Sequence, residues 1–336
     1  MNKIIECVPN FSEGRDAGKI AKIVGEIEKV KDVKLLNVES DADYNRTVVT
    51  FAGKPEAVKD AAFYAIEMAA EVIDMSRHKG AHPRIGATDV CPFVPVSNAT
   101  MDECVQVARS LGKEVGEWLG IPVYLYGEAA VIPERHILPD IRKGEYEGLP
   151  EKLKDEKWQP DYGPVEFNDN VRRTGATVIG AREFLIAYNV NLDTQDIQIA
   201  NKISGIVRDS GVVQINEKGE KVRITGLLKF VQAMGVYLKE RNITQVSMNL
   251  LNYKVTPPHV AFEEAKKQAE KFGVHVTGSE VVGLIPKEAL LAAGRFYAGE
   301  LSEKQLIAAA VERLGLSQLN KFIPEKKVIE YMLGLD

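Results

Sequence analysis

The sequence predicts an α/β (α+β) chain of two successive βαββαβ units with a ligand cleft between them. Three observations predict it. Short apolar runs alternate with amphipathic stretches of helical spacing. That order occurs twice along the chain. A charged, proline-bearing segment from Ile137 to Val165 separates the two occurrences.

The first unit opens on "KIIECVP", an apolar run ended by Pro9 that reads as a strand. Ser12 can cap a helix over Arg15 to Val30, where Ile20, Ile23, Val24 and Ile27 share a face. "VKLLNVE" and "RTVVTFAG" are the next strands, the latter ended by Gly53. Pro55 then opens a long helix, "EAVKDAAFYAIEMAAEVIDM". "VCPFVPV" is a strand edged by Pro92 and Pro95. Thr100 and Glu103 have capping-box spacing for a helix to about Leu119, and "IPVYLYGEAA" is the last strand. In the second unit, "GATVIGAREFLIAYNVNL" reads as a long strand and "TQDIQIANKISGIVRD" as a helix. "KVRITGLLKFVQAMGVYL" and "ITQVSMNLLNY" are strands, "PPHVAFEEAKKQAEKFG" a helix, "VHVTGSEVVGLI" a strand, and "PKEALLAAG" begins a helix. The expected subdomains are residues 1–178, including the linker 137–165, and 179–336. The element order is that of paired ferredoxin-like subdomains; a single mixed α/β domain is the alternative.

Composition narrows the function. With 43 Lys and Arg against 48 Asp and Glu the net charge is −5, so a general nucleic-acid binder is not expected. The three cysteines include no CxxC pair, which removes disulfide-framework and zinc-ribbon readings and suits a reduced, cytoplasmic setting. No secretory h-region and no membrane-length apolar run is present in the sequence.

Chemistry concentrates in "SRHKGAHPRIGATDV", Ser76 to Val90. Two imidazoles four residues apart would make a metal pair on a helix, but Gly80 and Pro83 deny the helix and no third ligand stands near; no metal is expected. His82 is the more constrained histidine, because Pro83 restricts its backbone. Lys79 and Arg84 would keep it neutral as a base. The residues alone fit either a catalytic imidazole or one that only ties the loop. Structural roles suit His136, His259 and His275. "DYGPVEFNDNVRRTGATVIGAR" offers Gly163, Gly175 and Gly180 for close backbone approach and Arg172 and Arg173 for carboxylates, or else a solvated hinge. Asn10, Ser12, Glu13 and Arg15 form a ligand rim or an ordinary N-cap. Among Glu39, Asp41 and Asp43, ahead of Asn45 and Arg46, Glu39 at a strand end is the best candidate acid.

Together these stretches resemble the formiminotransferase part of the formiminotransferase-cyclodeaminase family and its stand-alone glutamate formiminotransferases. The motifs "ECVPNFSEG", "NRTVVTF", "SRHKGAHPRIGATDVCPF", "IPVYLYGEAA", "GPVEF", "TGATVIGAREFLIAYNVNL" and "VSMNLLNY" carry the resemblance from about Ile5 to Leu333. It implies transfer of a formimino group from N-formimino-L-glutamate to tetrahydrofolate, a co-substrate, by a cytoplasmic homodimer with no nucleic-acid or membrane partner. A formyltransferase acting on N-formylglutamate and a non-catalytic folate-binding protein are the rivals. The resemblance puts the catalytic histidine at His82. It puts folate contacts at Gly163, Pro164, Val165, Glu166, Phe167, Asn168, Asp169, Asn170, Val171 and Arg172. Asn10, Glu39, Arg46, Lys79, Arg84 and Gly180 complete the expected substrate-binding set, with Lys79, Arg84 and the Arg172–Arg173 pair as an anion funnel. Two departures stand out: Glu39 replaces the usual Asp, and Ala81 replaces the Glu of KGEHPR. The linker, with Trp158 and Tyr162, is expected to close over the ligand.

Overall fold

The computed structural model describes residues 3–216 and 219–335. The chain divides into two compact units, Met1–Glu183 and Phe184–Asp336.

In the first unit the strands are β1 (Ile4–Cys7), β2 (Asn10–Phe11), β3 (Val33–Asp41), β4 (Arg46–Gly53), β5 (Thr88–Ser97), β6 (Val123–Gly127) and β7 (Thr177–Ala181). They form one seven-stranded sheet, in which β1 and β2 lie between β4 and β5, β3 pairs with β4, and β7 lies between β5 and β6. Helices α1 (Ala17–Glu28), α2 (Pro55–Val72) and α3 (Met101–Trp118) pack on one face. Their buried Ile23, Ile27, Ala65, Ile66 and Leu111 share a core with Phe11, Phe51, Cys91 and Phe93 of the sheet. Asp16 caps α1, rather than Ser12, by accepting from the Gly18 and Lys19 amides. Thr100 and Glu103 form the expected capping box on α3.

The segment from residue 137 to 165 is folded, not an extended linker. It holds the short helices α4 (Leu138–Arg142) and α5 (Leu149–Lys152). Their Ile141 and Leu149, with Leu153, are buried against Val90, Tyr124, Tyr126 and Val178 on the sheet face that α1–α3 leave free. Arg135 makes a buried ion pair with Asp161 at 2.7 Å. The hydroxyl of Tyr124 donates to the Trp158 carbonyl at 2.8 Å. Isolated apolar residues between charges hid this layer, because a four- or five-residue helix shows no periodicity. Such anchoring argues against the large closing motion expected of the linker. A short helix α6 (Asp169–Thr174) leads into β7.

The long strand expected to open the second unit is two strands. β7 pairs in parallel with both β5 and β6 and completes the first sheet. The division therefore falls between Glu183 and Phe184, not after Val178, which lies within β7. The second unit then runs β8 (Ile186–Leu192), α7 (Ile197–Val207), β9 (Val212–Ile215), β10 (Lys221–Ile224), β11 (Val231–Leu238), β12 (Ile243–Leu250), α8 (Pro258–Lys271) and β13 (Val276–Val282). Its main sheet has the order β11-β12-β8-β13, while β9 and β10 form a separate hairpin. The expected strand "KVRITGLLKFVQAMGVYL" is thus divided into β10 and β11, and between them a Cβ added at Gly226 would lie 1.8 Å from the Arg208 carbonyl, so only glycine lets the chain pass there. Helices α9 (Lys287–Ala298), α10 (Glu303–Arg313), α11 (Pro324–Lys327) and α12 (Ile329–Leu333) follow.

In both units the four strands of the βαββαβ order bring the fourth beside the first. All three cysteines are buried and unbridged; the Cys7 and Cys91 sulfurs lie 3.4 Å apart, too far for an S–S bond.

Candidate active site

The histidine loop is fastened to its neighbours before any ligand arrives. A Cβ at Gly80 would sit 2.3 Å from the Tyr44 carbonyl, so only glycine lets the loop cross the β3–β4 turn this closely. In that turn Asn45 adopts φ +49°, a left-handed conformation that asparagine tolerates. Its side chain accepts from the Gly14 amide at 2.9 Å and donates to the Lys79 carbonyl at 3.0 Å. One buried amide thus ties together the turn before α1, the β3–β4 turn and the histidine loop. Asn45→Ala should leave two part-buried backbone groups without their partner and cost about 1 kcal/mol, measurable by denaturant unfolding.

His82 is half-buried, with its ring 6.0 Å from that of Tyr44, edge to face. Its pKa is pushed down to about 4, first by burial and then by the positive charges of Arg46 and Arg142; Asp89 opposes them. Asp89 is buried at the start of β5, where its Oδ1 accepts from the Ile85 amide at 3.0 Å. Arg142, delivered by α4, forms a charge-assisted pair with the same carboxylate. Arg46 donates to the Asn10 side-chain oxygen, while its Nε is buried without a partner among the described residues. Burial brings the Arg46 pKa down to about 10, against the pull of Asp89, Asp41 and Glu39. Phe11, Ser12, Tyr44, Asn45, Arg46, His78, His82, Arg84 and Asp89 line one small pocket.

The expected residues separate into two groups. His82, Arg46, Asn10 and Glu39 converge: Asn10 and Glu39 both stand opposite Val48 of β4 in the ladder, and so share a face with Arg46. The charge of Arg84 is already met by carboxylates. Its guanidinium is held by Glu147 at 2.6 and 2.8 Å and by Glu145 at 3.0 Å, carboxylates of the segment read as a linker. Its Nε–H donates to His78 Nδ1 at 3.2 Å, and His78 Nε2 lies 3.1 Å from the Asn45 carbonyl. His78 is therefore a neutral, loop-fixing imidazole. Lys79 is exposed. Arg172 lies on the surface 3.4 Å from Asp169, and Arg173 donates to the Glu71 carbonyl. Of the residues expected in the anion funnel, Lys79, Arg172 and Arg173 are exposed, while the Arg84 guanidinium is held by Glu145 and Glu147.

The stretch from Gly163 to Arg172 is joined to the loop through Tyr146. The Tyr146 amide donates to the Arg84 carbonyl at 2.9 Å, its hydroxyl donates to the Arg172 carbonyl at 2.6 Å, and its ring lies 6.3 Å from Phe167. Asn168 caps α6, Asn170 donates to the carbonyls of Leu119 and Gly120, and Val171 is buried. Val165, Glu166 and Asp169 are exposed, and Pro164 is partly so. Gly163 takes φ +86° with its Cβ position 2.3 Å from the Ile121 carbonyl. Gly163→Ala should therefore cost about 1–3 kcal/mol of stability through strain. Gly180 is a packing glycine: a Cβ there would lie 2.2 Å from Tyr126 O.

Sequence reading missed Asp89, Arg142, Tyr146, Glu145 and Glu147. Asp89 stood inside the quoted loop motif, where an acid just ahead of an apolar strand was a usable signal. Arg142, Glu145 and Glu147 carried none, because their partners lie more than fifty residues away, and the partners of Tyr146 lie more than twenty away.

Comparison with known proteins decides what this arrangement belongs to. Residues 4–182 match the N-terminal subdomain of the formiminotransferase domain, and residues 187–334 match the formiminotransferase domain that follows it. The chain belongs to the formiminotransferase family. It is 47% identical over 338 residues to formimidoyltransferase-cyclodeaminase of Mus musculus, an alignment covering 99% of this chain and 60% of that protein. It is 47% identical over 296 residues to glutamate formimidoyltransferase of Thermoplasma acidophilum, covering 88% of this chain and 92% of the relative. The Streptococcus pyogenes serotype M1 glutamate formimidoyltransferase is 44% identical over 297 residues, covering 88% and 94%. The chain thus spans about 60% of the length of the two-activity relative. The two formiminotransferase matches end and begin on either side of the division at Glu183. Among the described residues no group of three or more His, Cys, Asp or Glu could hold a metal, and no helix is long and apolar enough to cross a membrane.

Proposed function

We propose that the chain transfers the formimino group of N-formimino-L-glutamate to N5 of tetrahydrofolate, releasing L-glutamate. The observation that carries this reading is the half-buried His82, held uncharged between Arg46 and Arg142 in a formiminotransferase. N5 attacks the formimino carbon, and the C=N electron pair moves onto its terminal nitrogen. His82 takes the proton that N5 loses. It returns that proton to the glutamate nitrogen as the C–N bond breaks, giving 5-formiminotetrahydrofolate and the free amine. Both substrates carry carboxylates, and Arg46 and Lys79 supply local positive charge in a chain of net charge −5. The stretch Gly163 to Arg172 contacts the folate. As the family resemblance implies, the protein works as a cytoplasmic homodimer.

Turnover with tetrahydrofolate and either N-formimino- or N-formyl-L-glutamate tests the reading. The formimino donor should be used and the formyl donor refused. Preference for the formyl donor makes the protein a formyltransferase; folate binding without turnover of either makes it a binding protein.

A charge-based prediction follows. In the free protein the acid limb of kcat/KM should fall near pH 4, not 6.5, because burial and two guanidinium groups disfavour the imidazolium. Bound carboxylates offset those cations, so the acid limb of kcat should lie higher than that of kcat/KM. Coincident limbs near pH 6.5 would show that His82 is not held neutral.

A further inference from the structure

The β3–β4 turn brings to the His82 pocket one side chain that the mechanism above leaves idle. Tyr44 lines that pocket beside Arg46 and Asp89. It is 44% exposed, and its ring meets the His82 ring at 6.0 Å and 71°. Among the described residues its hydroxyl has no hydrogen-bond partner, no second aromatic ring pairs with it, and no Lys or Arg stands over its face. The backbone beneath it is fixed. The Tyr44 amide donates to Asp41 Oδ1 at 2.8 Å, and the Asp43 carbonyl accepts from the Ala81 amide at 3.4 Å. Gly80 crosses close to the Tyr44 carbonyl, and the Asn45 side chain is tied on both sides.

Tyrosines that serve the fold of this chain are buried and bonded. Tyr124 donates to the Trp158 carbonyl and Tyr188 to Ser279 Oγ, each at 2.8 Å, as a buried phenol requires. Tyr44 is neither buried nor bonded, yet a stiff turn holds its ring against the imidazole. What a π face recognises there follows from charge. The donor of the proposed reaction carries an amidine, a stronger base than imidazole and therefore a flat cation at neutral pH. Its formyl counterpart is a neutral amide of nearly the same shape. An aromatic face attracts the cation and not the amide. Asp41 and Asp43, exposed on the same turn, favour the same charge. Arg46 and Lys79 suit the donor's carboxylates, so this rim carries both signs, as the donor does.

We propose that Tyr44 is a specificity-determining residue, which holds the cationic formimino group of the donor against its ring, beside His82, and so selects an amidine over an amide. The assignment rests on the functional reading above and names a substrate contact at the same site.

Tyr44→Leu removes the π face and Tyr44→Phe keeps it. Both leave the bonds that fix the turn, which Tyr44 makes through its backbone alone. Calorimetry without folate would measure binding of N-formimino-L-glutamate and of N-formyl-L-glutamate to the native protein and both variants. Tyr44→Leu should weaken the formimino compound by about 3- to 30-fold, the fold-change of a cation–π contact, and leave the formyl compound unchanged. Tyr44→Phe should bind both as the native chain does. Equal weakening of the two compounds, or of neither, overturns the proposal. If Tyr44→Leu binds both normally but loses kcat, the ring only positions His82. If it binds tetrahydrofolate alone more weakly, the ring is a platform for the pterin, and the proposal is again overturned. These affinities need no turnover, so the two readings fail separately. Selective binding without transfer keeps this contact and removes the activity; transfer without selective binding keeps the activity and removes this contact.

Discussion

His82→Ala lowers kcat by about 10²–10⁴-fold, the range for losing a general acid–base group, and leaves tetrahydrofolate affinity nearly unchanged. The ring touches Tyr44 at its edge but carries little of the fold: the loop is held by Gly80, Asn45 and the Arg84 clamp. The variant should therefore fold as well as the native chain. His78→Ala distinguishes the two imidazoles, since it removes an acceptor from Arg84 and should lower stability more than the chemical step. Stopped-flow measurement of the transfer step separates these outcomes. Near-normal turnover of His82→Ala removes the imidazole from the mechanism. The same histidine gives stability its own pH dependence. Its folded-state pKa lies below the unfolded value near 6.5, so the unfolded chain takes up the proton first. That contribution is complete above about pH 6.5 and is lost as pH falls from there towards about 4.

Asp89→Ala destabilises the protein by about 3–5 kcal/mol, the usual result of removing one partner of a buried ion pair. Asp89 is 2% exposed, and its loss strands both the Arg142 guanidinium and the Ile85 amide. With α4 no longer held to β5, the layer of Ile141, Leu149 and Leu153 should loosen over the sheet. Thermal unfolding checks the magnitude, and hydrogen exchange across residues 138–153 checks the location. Arg142→Met should cost a comparable amount, because it strands the Asp89 carboxylate, the more buried partner of the pair, although that carboxylate can still accept from Ile85. It should also raise the His82 pKa by removing a positive neighbour. A loss of stability spread evenly over both units would argue against this local account.

What could be read in the sequence was whatever depends on neighbours in the chain. Helices α1, α2, α3, α7 and α8 and the strands β1, β3, β4, β5, β6, β12 and β13 announced themselves through apolar spacing, capping residues and proline at helix starts. The histidine loop was legible because Gly80, Pro83 and Gly86 exclude a helix within a few residues. The failures share a cause. Arg84 looked like a free cation because Glu145 and Glu147 stand some sixty residues away in sequence. The run through Arg182 and Glu183 read as one strand because both of its halves are apolar; only pairing partners distinguish β7 from β8. The folded layer over residues 137–165 was invisible because three buried side chains among many charges leave no period to detect.

The central claim is tested most directly by following the formimino carbon itself. N-formimino-L-glutamate labelled with ¹³C at that carbon is mixed with tetrahydrofolate and a stoichiometric amount of protein, and the label is traced by NMR through one turnover. The account predicts that the label moves from the glutamate nitrogen to N5 of the folate, with one glutamate released per label transferred and the transfer slowed about 10²–10⁴-fold in His82→Ala. Label that stays on glutamate, or that leaves it without reaching N5, would contradict it.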